Sequence, residues 1–131
     1  MHSLREYPAI MPIKIKRVYE PASRGDGFRI LVDRLWPRGV SKDDIDLWLK
    51  DIAPSNALRK WFHHEERNWS EFRTKYRKEL RENAEAVGRL RGVAKDKTVT
   101  LLYGARDTEH NQAAVLLDFL KKPKSRKKKA P

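Results

Sequence analysis

The sequence predicts an α/β fold in which a small, open and mostly parallel sheet is flanked by several helices in a single layered domain. Two apolar segments typical of buried strands, 28–32 and 98–103, lie far apart in the chain. The residues between them carry apolar side chains at helical spacing. Strands joined by a long helical crossover pair in parallel, whereas antiparallel neighbours can be joined by a short turn.

The remaining strand is predicted at 13–19, where apolar and charged residues alternate as in a strand on the outside of a sheet. Turn-forming residues at 20–27 separate it from the strand at 28–32. The continuous apolar residues 30–32 are typical of a strand covered on both faces. The predicted order is therefore two strands, several helices, a third strand and a last helix.

Two helices are predicted between 41 and 62. Ser41 caps the first, with Asp44 three residues on as in a capping box. The buried stripe of this helix is Ile45, Trp48, Leu49 and Ile52. Ala53-Pro54 ends it, and Ser55 caps a short second helix.

Three more helices are predicted after 67. The third opens at Asn68, the fourth near Ala84, and the last near Thr108 or Glu109. Their predicted buried residues are Trp69, Phe72, Tyr76 and Leu80, then Val87, Leu90 and Ala94, and finally Ala113, Leu116, Leu117 and Leu120.

Length and composition predict one domain at 13–120, with an N-terminal extension at 1–12 and a disordered basic tail at 121–131. The chain of 131 residues has no cysteine, which excludes disulfides and thiol nucleophiles. Residues 1–8 lack the apolar core of a signal peptide, and the longest apolar run spans only 113–117. We therefore expect a soluble cytoplasmic protein without a membrane partner.

Charge is concentrated at the C-terminus. The formal charge is +12, and residues 121–129 contribute seven cations and no anion. The rest of the chain contains 23 basic and 18 acidic residues. The cations that predict non-specific nucleic-acid contacts are Lys121, Lys122, Lys124, Arg126, Lys127, Lys128 and Lys129. The alternative is a solubilising tail with no specific partner.

Charged residues follow both apolar strands abruptly, and this marks the candidate site. Parallel strands bring their carboxyl ends to one edge of the sheet, where ligands bind in open α/β folds. The first motif, 33–39, and the second, 103–111, would meet there. The predicted ligand-binding residues are Arg34, Trp36, Arg38, Tyr103, Arg106 and Asp107, with Asp33 and His110 as the candidate acid/base pair.

This residue set favours a small anion. Arginine presents a planar fork that matches phosphate or carboxylate, and the amino end of a helix adds N–H groups and partial positive charge. Histidine exchanges a proton near neutral pH, which would permit a reaction. Asp–Arg pairs at strand ends also brace loops, so a structural or interaction module remains the alternative. The sequence does not decide whether the site is catalytic.

Several other chemistries are not supported. His63-His64-Glu65-Glu66 does not form a metal motif, because adjacent histidines do not share a helix face. The chain contains no phosphate-binding loop, no dinucleotide-binding glycine motif and no serine-hydrolase elbow. No metal and no cofactor is therefore predicted.

Four strings give the sequence a family resemblance. They are Lys14 to Pro21, Gly27 to Gly39, Leu47 to Ser55 and Leu101 to Asp107, and the second contains the specific string Asp-Arg-Leu-Trp-Pro-Arg-Gly. Across about 13–120 the chain resembles the YeaO-like family, a bacterial domain family of unknown function. The resemblance implies a cytoplasmic single-domain α/β protein with the two strand-end motifs as family signatures, and it implies no reaction or cofactor.

Overall fold

Within the described residues, four strands form one sheet in the order β1-β4-β2-β3, with every neighbouring pair parallel. The computed structural model describes residues 12–63 and 65–121. The strands are β1 (Ile13–Arg17), β2 (Phe28–Leu31), β3 (Leu47–Trp48) and β4 (Val99–Tyr103). The predicted fold class is confirmed, as are the pairing of the two apolar strands and the outer position of the first strand.

Across 12–63 and 65–121, four α-helices accompany the sheet, and short 3-10 turns lie between the other elements. The helices are α1 (Asn56–Phe62), α2 (Trp69–Arg81), α3 (Ala84–Asp96) and α4 (Gln112–Lys121). Ser55 caps α1 as predicted, because its side-chain oxygen accepts a hydrogen bond from the Leu58 N–H. Among the described residues, no helix is long and apolar enough to span a membrane.

The main core lies between the helices and one face of the sheet. Alternate residues of β2 and β4 meet buried side chains from all four helices, including Ile30, Leu101, Tyr76, Leu90 and Leu116. Leu117 is only half-buried, in contrast to the prediction. The opposite face carries a smaller apolar cluster, against which Trp36, Val40 and Ile45 from the connection between β2 and β3 pack.

The predicted helix at 41–52 is wrong. This segment forms 3-10 turns at Lys42–Asp44 and Lys50–Ile52 with β3 between them. Asp46 accepts a hydrogen bond from the Arg29 N–H and donates its own N–H to the Arg29 carbonyl. Pairing with the open edge of β2 therefore overrides a helical pattern that contains several helix-disfavouring aspartates.

The last helix also begins later than predicted. The Asp107 side chain accepts hydrogen bonds from the N–H groups of Glu109 and His110, at 2.9 and 3.0 Å, which holds these residues in a turn. Asn111 then caps α4 by accepting a hydrogen bond from the Ala114 N–H. The start of α4 at Gln112 brings that residue next to the end of β2.

Candidate functional site: a cavity at the carboxyl ends of β2 and β4

A cavity of about 140 Å³ lies at the edge of the sheet where β2 and β4 end. Its polar lining residues are Asp33, Arg34, Arg59, Asn111 and Gln112. Its apolar lining residues are Leu35, Pro54, Phe62, Phe72 and Ala105. The position is the one at which open parallel sheets bind ligands. Two of the predicted site residues, Asp33 and Arg34, face this space together.

Asp33 follows β2 and is bound by uncharged donors. One carboxylate oxygen accepts a hydrogen bond from the Gln112 amide, and the other accepts one from the Gly104 N–H at 3.0 Å. Burial raises the pKa of Asp33 from 3.8 to about 6, although these two hydrogen bonds and the charge of Arg59 act in the opposite direction. Asp33 is therefore a carboxyl group that changes protonation state close to neutral pH.

Gly104 makes this arrangement sterically feasible. A Cβ atom at this position would lie 2.9 Å from a carboxylate oxygen of Asp33. Any larger residue would push the carboxylate away from the backbone N–H that it accepts from. The glycine that ends β4 is thus required by the close approach of Asp33.

Two guanidinium groups line the same cavity. Arg34 donates to the carbonyls of Pro54 and Ala53, at 3.2 and 3.1 Å, and so ties the end of β2 to the start of α1. Arg59 projects from α1 and donates to the Asn56 side chain at 3.3 Å, while its buried Nε has no hydrogen-bond partner in the part of the chain that the structure describes. Across residues 12–63 and 65–121, neither arginine forms an ion pair.

Three predicted site residues from the strand ends do not line the cavity. Trp36 packs edge-to-face on Trp48 in the smaller apolar cluster, and its indole N–H donates to the Val40 carbonyl. Arg38 has an exposed side chain, and its carbonyl accepts a hydrogen bond from the Tyr19 hydroxyl. Tyr103 is buried in the main core, where burial raises the pKa of its hydroxyl.

In the second motif, 103–111, the predicted residues Arg106, Asp107 and His110 do not line the cavity either. Arg106 is exposed and does not line the cavity. His110 packs edge-to-face on Trp69, and its Nδ1 lies 3.0 Å from a carboxylate oxygen of Asp107 and 3.7 Å from one of Glu66. Backbone hydrogen bonds from His110 and Glu109, with the His110 side chain, lower the pKa of Asp107 to about 2. Asp33 and His110 therefore do not face one common cavity.

The predicted tail and extension fall almost entirely outside the described residues. Lys121 is the last residue of α4 and is exposed. The other predicted nucleic-acid contacts, Lys122, Lys124 and 126–129, lie outside the part of the chain that the structure describes, as do residues 1–11.

Arg59, Gln112, Phe62 and Phe72 are cavity residues that the sequence did not indicate. Gln112 was not recognised as a site residue because the last helix was predicted to begin earlier, which placed Gln112 inside the helix and not at its start. The two phenylalanines do belong to the core, where their rings stack with centroids 4.4 Å apart, and they also form part of the cavity wall. Arg59 carried no signal either, because it lies off the apolar stripe of Leu58, Trp61 and Phe62 and looks like an ordinary surface cation of a short helix.

Comparison with known sequences shows which family the chain belongs to. Residues 12–131 match the family described as "Inactive DUF488-N3 subclade". The chain belongs to this family. It is 50% identical over 113 residues to "Uncharacterized protein YeaO" of Escherichia coli (strain K12), covering 85% of this chain and 98% of that protein. It is 41% identical over 110 residues to "Uncharacterized protein Rv3073c" of Mycobacterium tuberculosis (strain ATCC 25618 / H37Rv), covering 82% of this chain and 92% of that protein.

These relatives confirm the YeaO-like resemblance, including its bacterial character and unknown function. No solved structure matches the chain. The names of these relatives give no ligand, so the residues of the cavity are the evidence for what it binds.

Proposed function

We propose that this member of the inactive DUF488-N3 subclade binds a small anion in the cavity at the ends of β2 and β4 and does not transform it. One observation carries the proposal. Two guanidinium groups, from Arg34 and Arg59, line one small cavity without an ion pair among the described residues. Both arginines are half-buried, and the Asp33 carboxylate in the same cavity can offset only one of their two positive charges, which favours an anionic occupant.

Binding without a reaction is favoured by the surroundings of the acid/base candidates. Asp33 lines the cavity, whereas His110 is engaged by Asp107 and Trp69 and does not. General acid–base chemistry needs its groups within hydrogen-bond reach of one reacting centre. The description of the family as inactive supports the same conclusion.

The test is the thermal unfolding of the full chain with and without phosphate, sulfate, acetate and butyrate. A bound anion at about a hundred times its dissociation constant should stabilise the protein by about 2.7 kcal/mol. Arg59→Gln should abolish most of that gain, because it removes one of the two guanidinium groups. Among residues 12–63 and 65–121, this variant loses one side-chain hydrogen bond, to Asn56.

Arg106→Gln is the control, since Arg106 follows β4, one of the two strands at whose ends the cavity lies, but is exposed and does not line the cavity. It should keep the full stabilisation. Failure of all four anions to raise the unfolding temperature contradicts the proposal, and so does equal stabilisation of Arg59→Gln. The structural-module alternative predicts that Arg34→Ala lowers stability while changing no binding.

A second candidate function is non-specific nucleic-acid binding by residues 121–129. The seven cations of this segment carry it. If all of them contact phosphates of duplex DNA, the logarithm of the affinity should fall with the logarithm of salt concentration at a slope of roughly −6. Fluorescence anisotropy with the full chain and with a chain that ends at Leu120 tests this. Equal binding by both chains, or binding by neither, rejects a role for the tail.

A further inference from the structure

The cavity is small and about half of its lining residues are apolar, and both features restrict the anion. We infer that the occupant is a short monocarboxylate, with its carboxylate at Arg34 and Arg59 and its hydrocarbon part against Phe62 and Phe72. This inference rests on the proposed function, because it specifies the ligand of the same cavity. Size, wall chemistry and charge each support it.

Size sets the upper limit. The cavity volume is about 140 Å³. An apolar cavity of about 150 Å³ holds one benzene molecule, so the occupant has about six non-hydrogen atoms. Butyrate fits this limit, whereas octanoate exceeds it.

The wall distinguishes a carboxylate from an inorganic anion. Leu35, Pro54, Phe62, Phe72 and Ala105 contribute carbon surface to the cavity. A sulfate or phosphate would set its oxygen atoms against this surface and leave some of them without donors, which is unfavourable. A short hydrocarbon chain would cover the same surface and gain free energy from its burial.

Charge distinguishes a monoanion from a dianion. When Asp33 is ionised, Arg34, Arg59 and Asp33 together carry one positive charge. A monocarboxylate neutralises that charge, whereas a dianion leaves an excess negative charge beside Asp33. The other polar groups around Asp33 are the Gln112 amide, the Gly104 N–H and the buried Tyr76 hydroxyl, and none of these adds a second positive charge.

Isothermal titration calorimetry of the full chain at pH 8 tests the inference, since Asp33 is ionised there. The probes are butyrate, octanoate, nitrate, sulfate and phosphate. Butyrate should bind at least about tenfold more tightly than each of the others, and Arg59→Gln should weaken butyrate by about tenfold or more. The exposed Arg106→Gln control should bind butyrate as the unmodified chain does.

Asp33→Asn tests the charge argument, because removing the negative charge of Asp33 should shift the preference of the cavity from butyrate towards sulfate. It leaves two positive charges in the cavity, so sulfate should gain at least about tenfold relative to butyrate. An unchanged ratio overturns the charge argument. The ranking of probes on the unmodified chain does not depend on the folding of any variant.

The two proposals fail in different ways. If sulfate or phosphate binds as tightly as butyrate and Arg59→Gln loses that affinity, the ligand is not specifically a monocarboxylate, but the proposed anion site still holds. Equal affinity for octanoate and butyrate overturns the size limit. If none of the five probes binds, or if Arg59→Gln binds butyrate normally, the proposed anion-binding function is rejected. The inference of a monocarboxylate ligand is then rejected as well.

Discussion

Asp26 and Asp33 lie at opposite ends of β2, two residues before it begins and two residues after it ends, and their surroundings differ sharply. Asp26 is fully buried and forms ion pairs with Lys16 at 3.0 Å, Lys14 at 3.6 Å and Arg29. Ser23 adds hydrogen bonds from its backbone N–H and its hydroxyl. Asp33 is half-buried and accepts hydrogen bonds from uncharged donors.

The pKa shifts follow from that difference. Burial acts to raise the pKa of Asp26, but hydrogen bonds from Lys16 and Ser23 and the charge of Lys16 hold it well below the ordinary value of 3.8. Burial raises the pKa of Asp33 to about 6, because its donors compensate the buried charge only in part. The Asp26 carboxylate thus completes a closed structural ion cluster, whereas the Asp33 carboxylate shares a cavity with two arginines and forms no ion pair among the described residues.

The largest expected effect is the loss of the closed cluster. Asp26→Ala should lower the free energy of unfolding by about 3–5 kcal/mol, because it leaves the buried Arg29 and the half-buried Lys16 without their anion. Urea unfolding followed by circular dichroism measures this. Asp43→Ala is the control, since Asp43 is exposed, and it should change stability by less than about 0.5 kcal/mol. A loss below about 1 kcal/mol for Asp26→Ala would show that the cluster is not a stabilising feature.

The next largest effect concerns Asp33, whose replacement by asparagine should become stabilising relative to the unmodified chain as pH rises, whereas replacement of Asp26 should destabilise the protein. The pKa of Asp33 is about 6 in the folded chain against an ordinary 3.8, so the folded state favours the protonated form. The stability that this protonation contributes is fully present below about pH 4 and is lost as pH rises through about 6, amounting to at most about 3 kcal/mol. Asparagine cannot ionise, so the stability of Asp33→Asn relative to the unmodified chain should increase from pH 4 to pH 7.

Urea unfolding of both chains at several pH values between 4 and 7 measures this difference. Asp26 and Asp107, whose pKa values are lowered, are present in both chains, so their contributions cancel. A difference that stays constant over this range would mean that Asp33 is not held in an unfavourable charged state.

The same comparison shows what the sequence can predict. Asp33 and Arg34 were predictable as site residues because they directly follow a buried strand, and the edge at which parallel strands end is fixed by topology. The pairing of β2 with β4 was predictable for a similar reason, since apolar strands joined by helices pair in parallel. Both inferences depend on order along the chain, not on the packing of individual side chains.

Features that depend on packing were not predictable. Arg59 reaches the cavity only because Arg34 ties the start of α1 to the end of β2. Gln112 reaches Asp33 only because Asp107 and Asn111 delay the start of α4. The ion cluster around Asp26 joins residues of two strands that are not neighbours in the sheet, and the local sequence at 20–27 indicates only a turn.

The smallest expected effect sharpens the account of Asp33. Gln112→Ala removes one of the two donors that stabilise the ionised carboxylate, so the pKa of Asp33 should rise further. The free energy of unfolding at pH 8 should fall by about 1 kcal/mol. Carbon-13 NMR of the Asp33 carboxyl group across pH 4–8 measures the shift. Asn83→Ala removes a comparable amide hydrogen bond, to the Asp51 carbonyl, and should leave the pKa of Asp33 unchanged. A pKa that does not rise in Gln112→Ala would mean that Asp33 is held by other groups, and the contrast with the fully paired Asp26 would then lose its physical basis.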